Sequence, residues 1–98
     1  MKIKKSFEDK TLTIAVSGRI DSTTAPEFEE AIKKDMYQTV TLILDFRHVE
    51  YVSSAGLRVL LMACKIMKNQ GEMKIINTPQ AVKEVFDMTG LSNFLDVQ

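Results

Sequence analysis

Two adjacent serines, Ser53 and Ser54, have the position in this sequence that best suits chemistry, because they lie between an apolar strand and a predicted helix. The small residues Ala55 and Gly56 follow them. A helix N-terminus offers unpaired amides and the positive end of the helix dipole, so it would stabilise a phosphate on Ser54. That phosphate would add about two negative charges at neutral pH without disturbing the core. The pattern also fits a plain helix cap, since serine is a favoured N-cap residue.

Catalytic arrangements find little support. In the nucleophile elbow G-x-S-x-G, Val52 would occupy the place of the first glycine, and neither G-x-G-x-x-G nor a Walker A pattern occurs. The single histidine, His48, is expected in the connection after a strand, where it is solvated rather than a general base. Asp21 and Asp45 could form an acid/base pair, but Asp45 is expected to close a strand and Asp21 to lie in a loop. We therefore expect no enzyme activity and no cofactor.

Composition narrows the class of partner. The 98 residues, 45% of them hydrophobic, suit one domain spanning residues 1–98. Thirteen Lys and Arg balance thirteen Asp and Glu, so no basic excess supports nucleic-acid binding. A lone Cys64 with His48 cannot form a disulfide or a zinc site, so no metal is expected.

No segment predicts membrane contact or export. The opening MKIKKSFEDK has lysines but no apolar stretch after them, unlike a signal peptide. The longest apolar run, Val59 to Cys64, is far below the roughly 20 residues that span a bilayer. We therefore expect a cytoplasmic protein.

The first half of the chain predicts a hairpin followed by a helix. Strands are expected at Ile3 to Phe7 and Thr11 to Ser17, paired antiparallel, with a loop over Gly18 to Thr23. A helix from about Thr24 to Asp35 would begin with a capping box formed by Thr24 and Glu27.

The second half alternates strands and helices. Val40 to Phe46 is apolar with little alternation, which predicts a strand covered on both faces. A helix is expected next, at about Ala55 to Gln70, with Gly71 as its C-cap, and then a strand at Met73 to Asn77. The last helix, capped by Thr78, is expected to begin at Pro79 and to end near Thr89, before Gly90. The C-terminus is expected to pack against the sheet through Leu91, Phe94 and Leu95. The expected fold is α/β, with a central mixed sheet of four or five strands and about four helices packed on it.

Four segments in this order resemble the STAS-domain family, in particular the bacterial anti-sigma factor antagonists, over essentially the whole chain. They are Gly18 to Asp21, Leu44 to Phe46, Tyr51 to Leu57, and Val85 to Leu91. The resemblance implies a STAS-like fold and a partner-switching function. In that family the unmodified antagonist binds an anti-sigma factor that is also a GHKL-type serine kinase. Phosphorylation by this kinase releases the antagonist, and a PP2C-type phosphatase resets it.

The family's acceptor serine lies two residues before the motif glycine, which corresponds here to Ser54 and Gly56, and the acidic loop residue beside it corresponds to Asp21. Ser53 departs from the family pattern, because many members carry Asp immediately before the acceptor. This difference bears on the efficiency of phosphorylation and on which serine is used.

The partner is expected to contact the loop before the first helix and the start of the second helix. Besides Ser54, the residues assigned to this surface are Asp21, Ser22, Thr23, Ser53, Gly56, Leu57 and Arg58. The free protein is expected to be a monomer. Three alternatives stay open: a scaffold or transporter-associated subunit whose Ser54 is never modified, an adaptor in another signalling pathway, and a minimal enzyme using Ser54.

Overall fold

A mixed five-stranded sheet carries all the helices of the chain on one face. The computed structural model describes residues 1–98. Its strands are β1 (Lys2–Glu8), β2 (Thr11–Ile20), β3 (Thr41–Val52), β4 (Glu72–Ile76) and β5 (Asp96–Val97), and its helices are α1 (Ala25–Lys33), α2 (Ser54–Lys68) and α3 (Gln80–Thr89). Two 3₁₀ turns, Met36–Gln38 and Leu91–Asn93, complete the chain. The predicted α/β class and mixed sheet are confirmed, with three α-helices where about four were expected.

Strand order explains why the helices share one face. The order is β1-β2-β3-β4-β5, with β1 antiparallel to β2 and every other pair parallel. Because each crossover moves one strand further in the same direction, crossovers of the same hand place α1, α2 and α3 on the same side.

The prediction that β3 is covered on both faces is therefore wrong. Leu42, Leu44 and Phe46 are buried under the helices, whereas Ile43 and Asp45 between them are only partly buried. We call the opposite side of the sheet, which carries Ala15, Ile43 and Asp45, the helix-free face.

Phe46 lies at the centre of the core. Its ring centroid is 6.3 Å from that of Phe28 on α1 and 6.4 Å from that of Phe86 on α3. All three rings are fully buried within a single apolar cluster of 22 residues. Tilted aromatic pairs at this separation are favourable beyond their buried area, so Phe46 ties both outer helices to the sheet.

Both central strands run further than predicted. β2 continues to Ile20 and β3 to Val52, so Asp45 lies within β3 rather than at its end and His48 belongs to the strand rather than to a connection. The loop expected over Gly18 to Thr23 shrinks to the few residues after Ile20.

Two β-bulges accompany this extension of β3. The step from Ala15 to Ser17 on β2 spans Asp45 to His48 on β3, and a second shift follows at Gly18. Each bulge inserts one extra residue into β3 relative to β2. The buried positions of β3 therefore shift by one residue at each bulge, and Val49 and Val52 point into the core. Gly18 has a φ of +98°, a backbone angle that residues other than glycine rarely adopt.

The ends of the helices differ from the predictions in two places and agree in a third. Pro79, not Thr78, is the N-cap of α3, and the Thr78 side chain is buried without a hydrogen bond. Asn69 caps α2, and Gly71 is required because a Cβ there would collide with the carbonyl of Val40. Gly90 ends α3 in the left-handed conformation, as predicted.

The C-terminal segment is only partly packed as predicted. Leu91 and Leu95 are buried, but Phe94 is 70% exposed. The two residues of β5 that follow extend the sheet beside β4. None of the helices combines the length and apolar character needed to cross a membrane.

Candidate functional site

The two serines at the start of α2 have different structural roles. Ser53 is the N-cap, in extended conformation, and its Oγ accepts a hydrogen bond from the amide of Gly56 over 3.4 Å. Ser54 is the first helical residue and is exposed. No hydrogen bond within the protein engages its hydroxyl, so Ser53 caps the helix and leaves the Ser54 hydroxyl free.

Gly56 allows α2 to approach the sheet closely. A Cβ at this position would lie 2.8 Å from Cγ2 of Ile20 and 2.9 Å from Cγ1 of Val52, closer than real side chains tolerate. The glycine is therefore explained by packing of the helix on the ends of β2 and β3. Gly56 is itself buried, which corrects its assignment to the partner-contacting surface.

Asp21 organises the turn that leads into α1, whose N-cap is Thr24. Its Oδ1 accepts from the Thr23 hydroxyl over 2.6 Å and from the amides of Thr23 and Thr24 over 3.0 and 3.2 Å. In return, the amide of Asp21 donates to Oγ1 of Thr24 over 2.9 Å. This reciprocal pair is a capping box formed three residues earlier than predicted. The predicted pairing of Thr24 with Glu27 is wrong, because Thr24 makes no side-chain cap bond to α1.

These hydrogen bonds also favour the ionised form of the Asp21 carboxyl. The Thr23 hydroxyl, followed by the amides of Thr24 and Thr23, lowers the pKa of the Asp21 carboxyl below its ordinary value, because each bond favours the ionised form. Asp21, on the surface that precedes α1, is negatively charged at neutral pH as an ordinary carboxyl is, and its lowered pKa extends the ionised form further into the acid range.

The end of β2 holds the two capped segments together. Its Ile20 carbonyl accepts from the amide of Ser53 over 2.8 Å, and its Arg19 carbonyl accepts from the Thr24 hydroxyl over 2.8 Å. One strand end thus positions both the segment that carries Asp21 and the segment that carries Ser54.

Arg19 is a member of this region that the sequence analysis did not single out. Its guanidinium carbon lies 4.4 Å from the centroid of the Tyr51 ring, and its Nε is 3.8 Å from Oδ2 of Asp21. The spacing of Arg19 and Asp21 by two residues was the available signal, because such residues point to the same side of an extended chain.

A groove of about 830 Å³ runs between α1 and α2, and Ala55, the residue after Ser54, lines it. It brings together two of the predicted partner-contacting residues, Ser22 and Arg58, which lie on different elements. Its remaining wall includes charged residues of both signs, from α1 and its C-cap, that the sequence analysis missed: Glu29, Glu30, Lys33 and Lys34. Leu57 instead packs partly against the core, so the exposed part of α2 near Ser54 is mainly Arg58.

A family model and a named relative both indicate the same family. The model of the STAS domain matches residues 2–98. The anti-sigma-B factor antagonist of Listeria monocytogenes is 32% identical over 98 residues, covering 96% of this chain and 84% of the relative.

Solved structures agree with the fold. An anti-sigma factor antagonist from Mycobacterium paratuberculosis superposes with a TM-score of 0.89 at 25% identity, covering 98% of this chain and 83% of the other. The phosphorylated form of the Bacillus cell fate determinant SpoIIAA gives a TM-score of 0.77 at 18% identity, covering 99% and 91%. At that identity the second likeness shows the shared fold alone.

Proposed function

The chain belongs to the STAS domain family, and we propose that it is an anti-sigma factor antagonist whose binding is controlled at Ser54. Unmodified, it binds an anti-sigma factor that is also a GHKL-type serine kinase. Phosphorylation of Ser54 releases it, and a PP2C-type phosphatase removes the phosphate. The chain itself performs no chemistry, since the ATP belongs to the kinase, and the exchange takes place in the cytoplasm.

The observation that carries the proposal is the division of roles between Ser53 and Ser54. The Oγ of Ser53, a partly buried residue, is turned toward the start of α2 and accepts a hydrogen bond from the Gly56 amide over 3.4 Å. The Ser54 side chain is exposed and makes no hydrogen bond within the protein, so its hydroxyl is more accessible to a kinase. Its place in the first turn also puts an added phosphate at the positive end of the helix dipole.

Charge explains how the modification would act. A phosphate on Ser54 carries about −1.5 to −2 charges at neutral pH. Asp21, whose pKa is lowered by its hydrogen bonds, adds a further negative charge to the surface we assign to the partner. A partner surface that fits the single carboxylate of Asp21 would bind less well once the phosphate on Ser54 adds further negative charge. The core beneath Gly56 would stay unchanged.

Incubation with ATP and the GHKL kinase encoded nearby in the genome tests the proposal. Intact-mass spectrometry should show the gain of one phosphate in the wild type and in Ser53→Ala, and no gain in Ser54→Ala. The Ser53→Ala protein is the matched control, because it removes a neighbouring hydroxyl and the helix cap but leaves the acceptor.

Other outcomes would overturn the assignment. A wild-type mass that never changes with any cognate kinase would favour a scaffold or adaptor. A phosphate retained in Ser54→Ala and lost in Ser53→Ala would move the acceptor to Ser53. Hydrolysis of an ester substrate that Ser54→Ala abolishes would favour an enzyme.

A further inference from the structure

A second concave surface lies on the helix-free face, away from the groove between α1 and α2. It has a volume of about 470 Å³, within the roughly 300–1,000 Å³ typical of small-molecule sites. Its floor is formed by β2 at Ala15 and Ser17, whose small side chains leave space between the neighbouring strands. We call this concavity the β2 groove.

The walls of the β2 groove follow from the sheet register. Ser17 pairs with Lys2 on one side and with His48 on the other, so these three residues form one row. Ala15 likewise pairs with Lys4 and Asp45. Adjacent strands are about 4.8 Å apart, so the residues that flank the floor are about 10 Å apart at the backbone. This opening suits a group the size of a phosphate.

The first β-bulge of β3 supplies the second cationic wall. In a regular strand Arg47 and His48 would point to opposite faces. The extra residue between Asp45 and His48 instead leaves both of them exposed and lining the β2 groove. Arg47 therefore faces Lys2 and Lys4 across the floor.

The charges of the β2 groove are predominantly positive in a protein whose formal net charge is zero. Lys2, Lys4 and Arg47 contribute three positive charges and Asp45 one negative charge. The Asp45 Oδ1 is already engaged, because it accepts from the Arg47 amide over 3.0 Å and from Asn77 Nδ2 over 3.2 Å. The three cations are not neutralised by any ion pair within the protein.

We propose that the β2 groove binds a small phosphorylated molecule, with Lys2, Lys4 and Arg47 around its phosphate and Ser17 beneath it. A protein surface is the less suitable occupant. Protein interfaces centre on aromatic and large apolar side chains, and none of the exposed large apolar residues lines the β2 groove. The site is separate from Ser54, so it does not depend on the proposed function.

Titration of the ¹⁵N-labelled full chain tests this site. The probes are inorganic phosphate, ribose 5-phosphate and poly-glutamate, each added at constant ionic strength set with chloride. We expect saturable amide shifts at Ala15, Ser17 and Arg47. The double variant Lys4→Gln/Arg47→Gln should bind both phosphates at least tenfold more weakly, since two of three cations are gone. Lys65→Gln/Lys68→Gln, which removes two exposed charges from α2, should bind like the wild type.

The arms of the titration separate the sources of the phosphate. Tighter binding of ribose 5-phosphate than of inorganic phosphate would identify an organic phosphate ester, and equal binding would identify the phosphate group alone. Absence of saturable shifts, or equal binding by the Lys4/Arg47 variant, would overturn the proposal. Saturation by poly-glutamate at lower concentration than by either phosphate would also overturn it and assign the groove to an acidic peptide.

Discussion

The amide of Ser53 donates to the carbonyl of Ile20 over 2.8 Å, which joins the last residue of β2 directly to the N-cap of α2. Ile20 is fully buried, and its side chain lies against Gly56, in the helical turn that Ser53 caps. The surface around Ser54 is thus built on the end of a core strand, next to the turn that holds Asp21. A charge added to Ser54 would change this surface without needing a change in the backbone.

The two serines should differ in their effect on stability. Ser53→Ala removes the N-cap of α2 and should lower the free energy of unfolding by about 1 kcal/mol. Ser54→Ala removes an exposed hydroxyl and should change it by less than about 0.5 kcal/mol. Urea denaturation followed by circular dichroism measures both. Equal losses in the two variants would show that Ser53 is not the working cap.

Gly56→Ala should destabilise the protein although alanine is the better helix former. The new methyl group would overlap both Ile20 and Val52 at less than 3.0 Å, so we expect the upper part of the usual overpacking cost, about 2–3 kcal/mol, against a propensity gain of about 1 kcal/mol. A net loss of about 1–2 kcal/mol is expected in thermal or urea unfolding. Ser54→Ala in the same turn is the control, and a Gly56→Ala protein as stable as the wild type would refute the close packing.

Thr23→Val should raise the pKa of the Asp21 carboxyl toward its ordinary value. It removes the hydroxyl that donates to Oδ1 over 2.6 Å, the largest cause of the lowered pKa. Thr23→Ser keeps a hydroxyl and should keep the lowered value. The carboxyl ¹³C shift of Asp21 followed against pH reports the midpoint, and an unchanged midpoint in Thr23→Val would contradict this assignment.

The same shift sets the direction of a pH effect on stability. Because the folded-state pKa of Asp21 is lower than the unfolded one, its stabilising contribution is complete above the unfolded value. That contribution is lost as the pH falls through the folded value. Comparing wild type with Thr23→Val, the difference in unfolding free energy should therefore shrink in acid and stay constant from mildly acidic to neutral pH.

Most of the helices and strands, and the position of Ser54 at the start of α2, could be predicted from the sequence. Alternating apolar residues gave the first strands, and Gly90 marked the end of α3, where a positive φ is needed. The family resemblance predicted the α/β fold, which the structure and the comparisons confirm. The exposure of Ser54 at the start of a helix also agrees with the expectation, whereas its phosphorylation stays a prediction.

Long-range geometry accounts for what the sequence analysis missed. The spacing of the buried apolar residues in β3 changes from two to three after Phe46, and this change is the sequence signal of the bulges. Only the pairing with β2 shows on which face Arg47 and His48 lie. The run Val40 to Phe46 looked covered on both faces because side-chain type alone cannot reveal that every crossover lies on one side. Thr24 pairs with Asp21 rather than with Glu27 because its hydroxyl is held at the Arg19 carbonyl, at the end of β2.

Affinity for the anti-sigma factor is the most direct test of the central claim that charge on Ser54 controls binding. Isothermal titration calorimetry of the unmodified and the Ser54-phosphorylated protein should show at least tenfold weaker binding after phosphorylation, about 1.4 kcal/mol. Ser54→Ala protein taken through the same kinase and ATP treatment should keep the affinity of the unmodified protein. Equal affinity of the phosphorylated and unmodified proteins would contradict the account.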